Sequence, residues 1–185
     1  MLRKAGVILF LFTVSNLPTF GQTLDIVITK GTDLNFTFNT IRQYVNGVIT
    51  PNATEFQVTS SSEWDLYVGT QTITPGEWDI MTSYSSAGDS QVPVSILEIR
   101  AASPGGTSQQ TSFFPLQDIS NPVYLIGSAA DDVSVSSGVG ANQPGDPSSN
   151  AFTHRFRIDY KLTPGVDYQP GVYGLTIVFT LAEDL

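Results

Sequence analysis

Apolar and polar residues alternate along much of the chain, most clearly over 152–162. The apolar positions are Phe152, His154, Phe156, Ile158, Tyr160 and Leu162, and the positions between them are Thr153, Arg155, Arg157, Asp159 and Lys161. An apolar period of two with charge on the opposite face predicts a half-buried antiparallel strand. Residues 173–181 repeat the alternation, and 163–171 is rich in turn formers. We therefore expect these two strands to pair.

Shorter alternations, each bounded by turn-forming residues, predict further strands. They lie at 24–28, 34–38, 54–58, 64–68, 78–84, 91–100 and 123–126. In 91–100 the apolar face switches after Ile96, which predicts a bulge or a change of partner strand. Helical periodicity is weak everywhere, and 39–46 is the one place where we expect a helical turn. About nine short strands predict an all-β fold, a two-sheet antiparallel immunoglobulin-like β-sandwich.

The N-terminal 21 residues have the parts of a secretory signal peptide. Arg3 and Lys4 precede an apolar run of about ten residues, and small residues stand at Thr19 and Gly21. We expect cleavage after Gly21, and an exported chain that is extracellular, at the cell surface or periplasmic. The remainder, 22–185, is expected to be a single β-sandwich domain with a long flexible loop at about 127–150.

Acidic residues dominate this remainder. The whole chain has 8 basic and 17 acidic residues, and 1–21 holds only Arg3 and Lys4, so 22–185 has a net charge of −11. Without clustered cations we expect no nucleic-acid partner. No stretch after residue 21 is long and apolar enough to predict a transmembrane segment. The absence of cysteine excludes a disulfide framework and a thiolate site.

Two Glu-Trp-Asp triplets are the most distinctive candidate binding residues. Glu63 and Asp65 flank Trp64, and Glu77 and Asp79 flank Trp78. Sugar-binding modules use exposed indoles beside acids, so a candidate ligand site comprises Trp64, Asp65, Trp78 and Asp79. The alternative, which we favour, places both indoles in the core and the acids on a solvated strand face.

Catalytic and metal chemistry are weakly supported by the sequence. His154 is the single histidine, and it lies on an apolar strand face, which indicates a core or interface role. We expect no catalytic residue, no metal and no cofactor. Two weaker alternatives are a carboxylate-dependent hydrolase and a calcium site in the long loop, whose oxygen-bearing residues are Asp131, Asp132, Asn142, Asp146 and Asn150.

Two segments resemble WxL-type bacterial surface domains. One is Trp64-Asp65-Leu66 within an apolar strand; the other is the terminal segment 170–181, Pro-Gly-Val-Tyr-Gly-Leu-Thr-Ile-Val-Phe-Thr-Leu. In that family a Trp-x-Leu motif is followed much later by a closing strand with a second Trp, where this chain has Phe179 or the neighbouring Val178. The closing strand is also similar to the last strand of pilin-like, immunoglobulin-like subunits that bacteria secrete.

The resemblance implies a non-catalytic extracellular sandwich that associates with the cell envelope or packs into a surface fibre. We therefore expect a secreted bacterial structural or adhesion protein that acts through packing and strand-edge association. Its partners would be other surface or fibre subunits, including further copies of itself. Because WxL domains bind peptidoglycan, the alternative is a module that binds an envelope polysaccharide or peptidoglycan.

Overall fold

The computed structural model describes residues 22–102, 112–126 and 142–183. Within those ranges the chain forms ten strands and two short α-helices. The strands are β1 Leu24–Lys30, β2 Val48–Ser60, β3 Trp64–Gln71, β4 Asp79–Ser83, β5 Leu97–Ala102, β6 Phe114–Pro115, β7 Val123–Ile126, β8 Arg155–Leu162, β9 Gly171–Gly174 and β10 Thr176–Glu183. The helices are α1 Ile41–Asn46 and α2 Ala151–His154. The signal segment predicted at 1–21 lies outside the described residues.

Two antiparallel sheets pack face to face and enclose the core. Sheet A has the strand order β1-β2-β8-β5-β6, and sheet B has the order β10-β3-β7. A third sheet, which we call the ribbon, consists of β4 and β9 alone. All of these strand pairs are antiparallel, so the predicted all-β sandwich is confirmed.

The core consists of the apolar residues that alternate along the strands. Phe56 of sheet A stacks on Phe156 of the neighbouring strand, with ring centroids 5.3 Å apart, and also contacts Phe179 of sheet B at 5.8 Å. The fully buried members include Val58, Trp64, Leu66, Val68, Ile99, Leu116, Leu125, Ile126 and Ile158. Burying one large apolar side chain stabilises a fold by roughly 1.5–3 kcal/mol, so this alternation is the main stabilising feature.

The predicted pairing of 152–162 with 173–181 is wrong. β8 lies inside sheet A between β2 and β5, whereas β10 pairs with β3 in sheet B. The chain between them is long enough to cross from one sheet to the other, and on the way β9 pairs with β4. Turn formers show that a chain changes direction, but they do not select the sheet in which the next strand pairs.

Three other predicted segments differ in detail. Residues 34–38 form no strand, although Leu34, Phe36 and Phe38 pack against the core. Residues 152–154 belong to α2, which Asn150 caps through a bond from the Phe152 N–H, so the strand begins at Arg155. The switch of face in 91–100 arises from a 3₁₀ turn at Val94–Ile96 that precedes β5.

The helical turn expected in 39–46 is present as α1. The Thr40 hydroxyl accepts a bond from the Gln43 N–H, and the Gln43 side chain accepts one from the Thr40 N–H, which together form a capping box. This helix is too short to bury a face, and none of its residues is buried. No helix in the described ranges has the length and apolar character needed to cross a membrane.

Candidate functional site

Trp64 lies in the core of the sandwich. It is fully buried, and its ring meets the Phe156 ring edge-on with centroids 6.1 Å apart. Its indole N–H donates to the Gln143 carbonyl oxygen at 3.1 Å. With no ring face open to solvent, Trp64 offers no stacking platform for a sugar.

Asp65 is also buried, which corrects the expectation that both acids of the triplet face solvent. Glu63 is exposed, as expected, but Asp65 points to the opposite side of β3 from Trp64 and lies beside Ala182 of β10. The physical reason is the position of β3. It is the central strand of sheet B, so neighbouring strands flank it on both sides.

Trp78 and Asp79 lie elsewhere, at the start of the ribbon. Trp78 is half-buried against the edge of the core, and its backbone N–H donates to the Val92 carbonyl at 2.8 Å. Asp79 accepts a bond from the Ile73 N–H at 2.8 Å. Since β3 and β4 belong to different sheets, the four predicted residues do not share one strand face or one sheet.

His154 holds the end of the long loop through both ring nitrogens. Its Nε2 lies 3.0 Å from the Gln143 carbonyl oxygen, and its Nδ1 lies 2.8 Å from the Thr153 hydroxyl and 3.2 Å from the Asn150 carbonyl oxygen. The side chain is buried, with its ring 6.4 Å from that of Trp64. These contacts are structural, because each ring nitrogen already has a polar partner within the fold.

The loop residues considered for calcium take part in local contacts. Asp146 accepts bonds from the backbone of Ser148 and Ser149 and from the Ser148 hydroxyl, and these bonds, the hydroxyl first, lower the pKa of its carboxyl. Asn150 caps α2, and Asn142 is fully buried.

Asp131 and Asp132 lie outside the described residues. Within 22–102, 112–126 and 142–183 no cluster of three or more His, Asp or Glu side chains is arranged to hold a metal ion.

A group of cations on the outer face of sheet A was not recognised as a site from the sequence. The chain has six Lys or Arg residues after residue 21, and five of them lie on this face: Lys30, Arg100, Arg155, Arg157 and Lys161. The alternation in 155–161 is the only sequence pattern that indicates this group of cations, because Lys30 and Arg100 come from strands distant in sequence.

The acids on this face pair with only some of those cations. Arg100 donates to Asp159 at 2.8 Å, and Lys161 pairs with Glu98. Glu55 is shared, at 3.8 Å from the Lys30 ammonium and 3.5 Å from Arg157. Lys30, Arg155 and Arg157, which we call the cation corner, therefore have one shared carboxylate between them among the ion pairs of the described residues.

A depression of about 100 Å³ lies at the cation corner. It is lined by Thr29, Glu55, Phe56, Gln57, Arg155, Phe156 and Arg157. Small-molecule sites in proteins typically enclose ~300–1,000 Å³, so this depression has room for a side chain or a small group rather than a cofactor. The arrangement suits charge-mediated contact better than enclosure of a substrate.

Comparison with known proteins adds no family to this description. No protein-family model matches the chain, and no curated protein matches its sequence. The resemblance to WxL and pilin-like domains therefore stays a prediction.

Proposed function

We propose that this chain is a secreted, non-catalytic structural or adhesion protein of the bacterial cell surface, alone or within a fibre. It works by associating with neighbouring subunits through the edges of its sheets. The observation that carries the proposal is the position of β1. This strand, which begins two residues after the predicted cleavage site, is at one edge of sheet A and pairs only with β2 among the described strands.

β1 has some of the features that prevent edge-to-edge association, a register shift between Ile28 and Lys30 among them, but its centre is unprotected. Charged side chains, proline, bulges and short length normally protect an edge strand. β1 is seven residues long and has no proline, and its Val27 and Ile28 side chains are 49% and 43% exposed. Its charged residues are confined to Asp25 near one end and Lys30 at the other. A strand of this composition can pair with an extended segment of a partner.

β10 provides a second open edge, in sheet B. It pairs only with β3 among the described strands, and its inward-facing Ile177, Phe179 and Leu181 pack on the core but remain half-buried. An added strand along β10 would use its free backbone groups and complete the burial of these side chains. Burial of apolar area is the main driving force for such association.

A non-catalytic role is supported by two buried polar side chains, His154 and Asp159, which bond other groups of the fold. The single His154 is occupied by contacts within the fold, and the buried Asp159 bonds Arg100 and the Asn52 N–H, at 2.8 Å each. The alternative, a glycan-binding module, has less support because Trp64 and Asp65 are buried. It would rest on Trp78 and Asp79.

The first test is the molar mass of the purified protein, expressed from its full coding sequence, by size-exclusion chromatography with light scattering. The proposal predicts growth into ordered multimers over a concentration series. A monomer at every concentration would overturn the assembly role and favour the glycan-binding module, which retention on insoluble cell-wall glycan would then examine.

Variants of β1 test the edge itself. Deletion of 22–30 is expected to abolish assembly while 152–181 stays folded. The deletion also removes Leu24 and Ile26, which pack on the core. Val27→Lys disturbs the fold less, because it places a charge on the exposed part of the edge strand. Thr59→Lys, on the neighbouring strand away from the edge, is the matched control. Equal assembly of both lysine variants and the wild type would exclude β1 as the associating edge.

A further inference from the structure

The ribbon and the segment 84–90 that follows β4 expose apolar side chains that nothing in the described fold covers. Every residue from 81 to 90 is exposed, and the apolar side chains of Ile80, Met81, Tyr84 and Val172 are 42%, 68%, 69% and 46% exposed. A two-stranded sheet is marginally stable without packing on another surface. Clustered exposed apolar side chains with a polar rim mark an interaction site.

Four carboxylates lie in the ribbon or in the segments next to it. Gln91 links two of them, since its side-chain amide donates to Glu77 at 3.0 Å and its backbone N–H donates to Asp89 at 2.9 Å. The Asp89 N–H in turn donates to the Asp167 carbonyl at 2.9 Å, and the fourth acid is Asp79 of β4. None of the four belongs to an ion pair between described residues. The ribbon, a name that from here on includes these flanking residues, is therefore a negatively charged apolar projection.

The complementary surface in the same molecule is the cation corner. Lys30 and Arg157 share the carboxylate of Glu55, and Arg155 belongs to none of the ion pairs between described residues, which leaves a local excess of positive charge. This excess is notable in a chain whose net charge after residue 21 is −11, and it lies beside the depression that can receive a side chain. Charge complementarity of this kind selects orientation and speeds association.

The two surfaces lie toward opposite ends of β8. Arg155 is the first residue of this strand and Leu162 the last, and Asp167 follows five residues later. Eight extended residues span about 25 Å, so the fold holds the ribbon away from its own cation corner. Each copy therefore presents both halves of a contact at separate places.

We propose that the ribbon of one copy docks on the cation corner of the next, with its acids against Lys30, Arg155 and Arg157. This inference rests on the proposed function and names the partner as a second copy of the chain. Such a contact joins two different surfaces, so it is heterologous. If its rotation does not close a ring, it continues into an open filament.

Charge exchange tests the contact. In the ribbon-reversed variant Asp89→Lys and Asp167→Lys are combined, and in the corner-reversed variant Arg155→Glu and Arg157→Glu are combined. Each variant alone meets like charge at the contact, and we expect its apparent dissociation constant for assembly to rise at least tenfold. An equimolar mixture is expected to restore assembly, because each ribbon then finds an oppositely charged corner on the other variant. Circular dichroism checks that both variants fold.

A control matched to the ribbon-reversed variant makes the same change in net charge at other positions. Asp33→Lys with Glu63→Lys changes two exposed acids outside the ribbon, and we expect it to assemble as the wild type does. Wild-type assembly is also expected to weaken between 0.05 and 0.5 M NaCl because salt screens exposed charges.

The outcomes separate this inference from the proposed function. If the wild type assembles and the folded ribbon-reversed variant assembles equally well, or the mixture fails to recover, the contact is excluded while the assembly role stands. If the wild type remains monomeric, both are overturned.

Discussion

Trp64 and His154 converge on one carbonyl oxygen, that of Gln143. The indole N–H donates to it at 3.1 Å, and the imidazole Nε2 lies 3.0 Å away. Trp64 opens β3 in sheet B, and His154 directly precedes β8 in sheet A. A single backbone group in the loop end thus joins both sheets, which places the described part of the predicted long loop, 142–150, against the sandwich.

Gly145→Ala is expected to loosen this junction. Gly145 has φ 151° and exchanges two backbone bonds with Ser60, and an added Cβ would lie 2.8 Å from Cε1 of the His154 ring. We expect a loss of about 1–3 kcal/mol in the free energy of unfolding, measured with urea. Gly165→Ala is the control, because φ is also positive there but nothing lies within 4 Å of the added Cβ. Equal losses at both positions would show that the ring contact contributes nothing.

Trp64→Ala tests the interpretation that Trp64, in the first Glu-Trp-Asp triplet, is a core residue. Removing a fully buried indole leaves a cavity and an unpartnered lone pair on Gln143, so we expect a loss of about 3–5 kcal/mol. Trp78→Ala, at a half-buried position, is expected to cost less. Thermal denaturation measures the loss of stability in each variant, and we expect the larger loss in Trp64→Ala. A larger effect at Trp78 would contradict the assignment of Trp64 to the centre of the core.

Asp159→Ala is expected to destabilise the fold by about 1–3 kcal/mol, because it leaves the Asn52 N–H and Arg100 without their acceptor. Asn52 has φ 48°, within the register shift of β2, so this bond also holds a bulge. Glu98→Ala is the control. It breaks the more exposed pair with Lys161, which contributes about 0–1 kcal/mol. A double-mutant cycle with Arg100→Ala measures the coupling, and additive losses would rule out an interaction between Arg100 and Asp159.

We expect the fold to lose stability at alkaline pH because the buried phenol of Tyr160 then loses its proton. Burial raises the pKa of its phenol to about 12 from 10.0, although the bond with Thr54 opposes the shift. The folded state therefore holds its proton more tightly than the unfolded state. This contribution is complete below pH 10 and is lost as the pH rises through about 12. A shift of this size corresponds to roughly 2–3 kcal/mol.

Urea unfolding at pH 8 to 11 checks this prediction on the wild type and Tyr160→Phe. We expect the stability of the variant relative to the wild type to improve as the pH rises. Tyr84→Phe, at an exposed position, is expected to keep the wild-type pH dependence. Parallel curves for Tyr160→Phe and the wild type would contradict a raised pKa at Tyr160.

Much of the fold follows from local patterns. The alternation at 54–58, 64–68 and 155–162 identified strands and their buried residues correctly, because the side-chain direction in a strand has a period of two wherever the strand lies. The same pattern gave a wrong prediction of a strand at 34–38. There the side chains alternate toward the core, but the backbone forms no strand, since alternation reports side-chain direction and not backbone pairing.

The candidate site was less predictable. The sequence favoured a core position for Trp64, and the structure has it there, but Asp65 was expected in solvent and is buried. Asp65 lies beside Ala182 of β10, a strand that comes much later in the chain and that local alternation cannot place. The cation corner escaped notice for a similar reason, because Lys30 and Arg157 meet at Glu55 only once β1, β2 and β8 are adjacent.

The sequence by itself determined that the chain is an all-β sandwich and which alternate residues form its core, because side-chain period and turn chemistry act between near neighbours. Tertiary structure alone decided that β8 and β10 belong to different sheets, that Trp64 and His154 share the Gln143 carbonyl, and that the cations gather on one face. These relationships join residues far apart in sequence, and they arise only when the strands have chosen their neighbours.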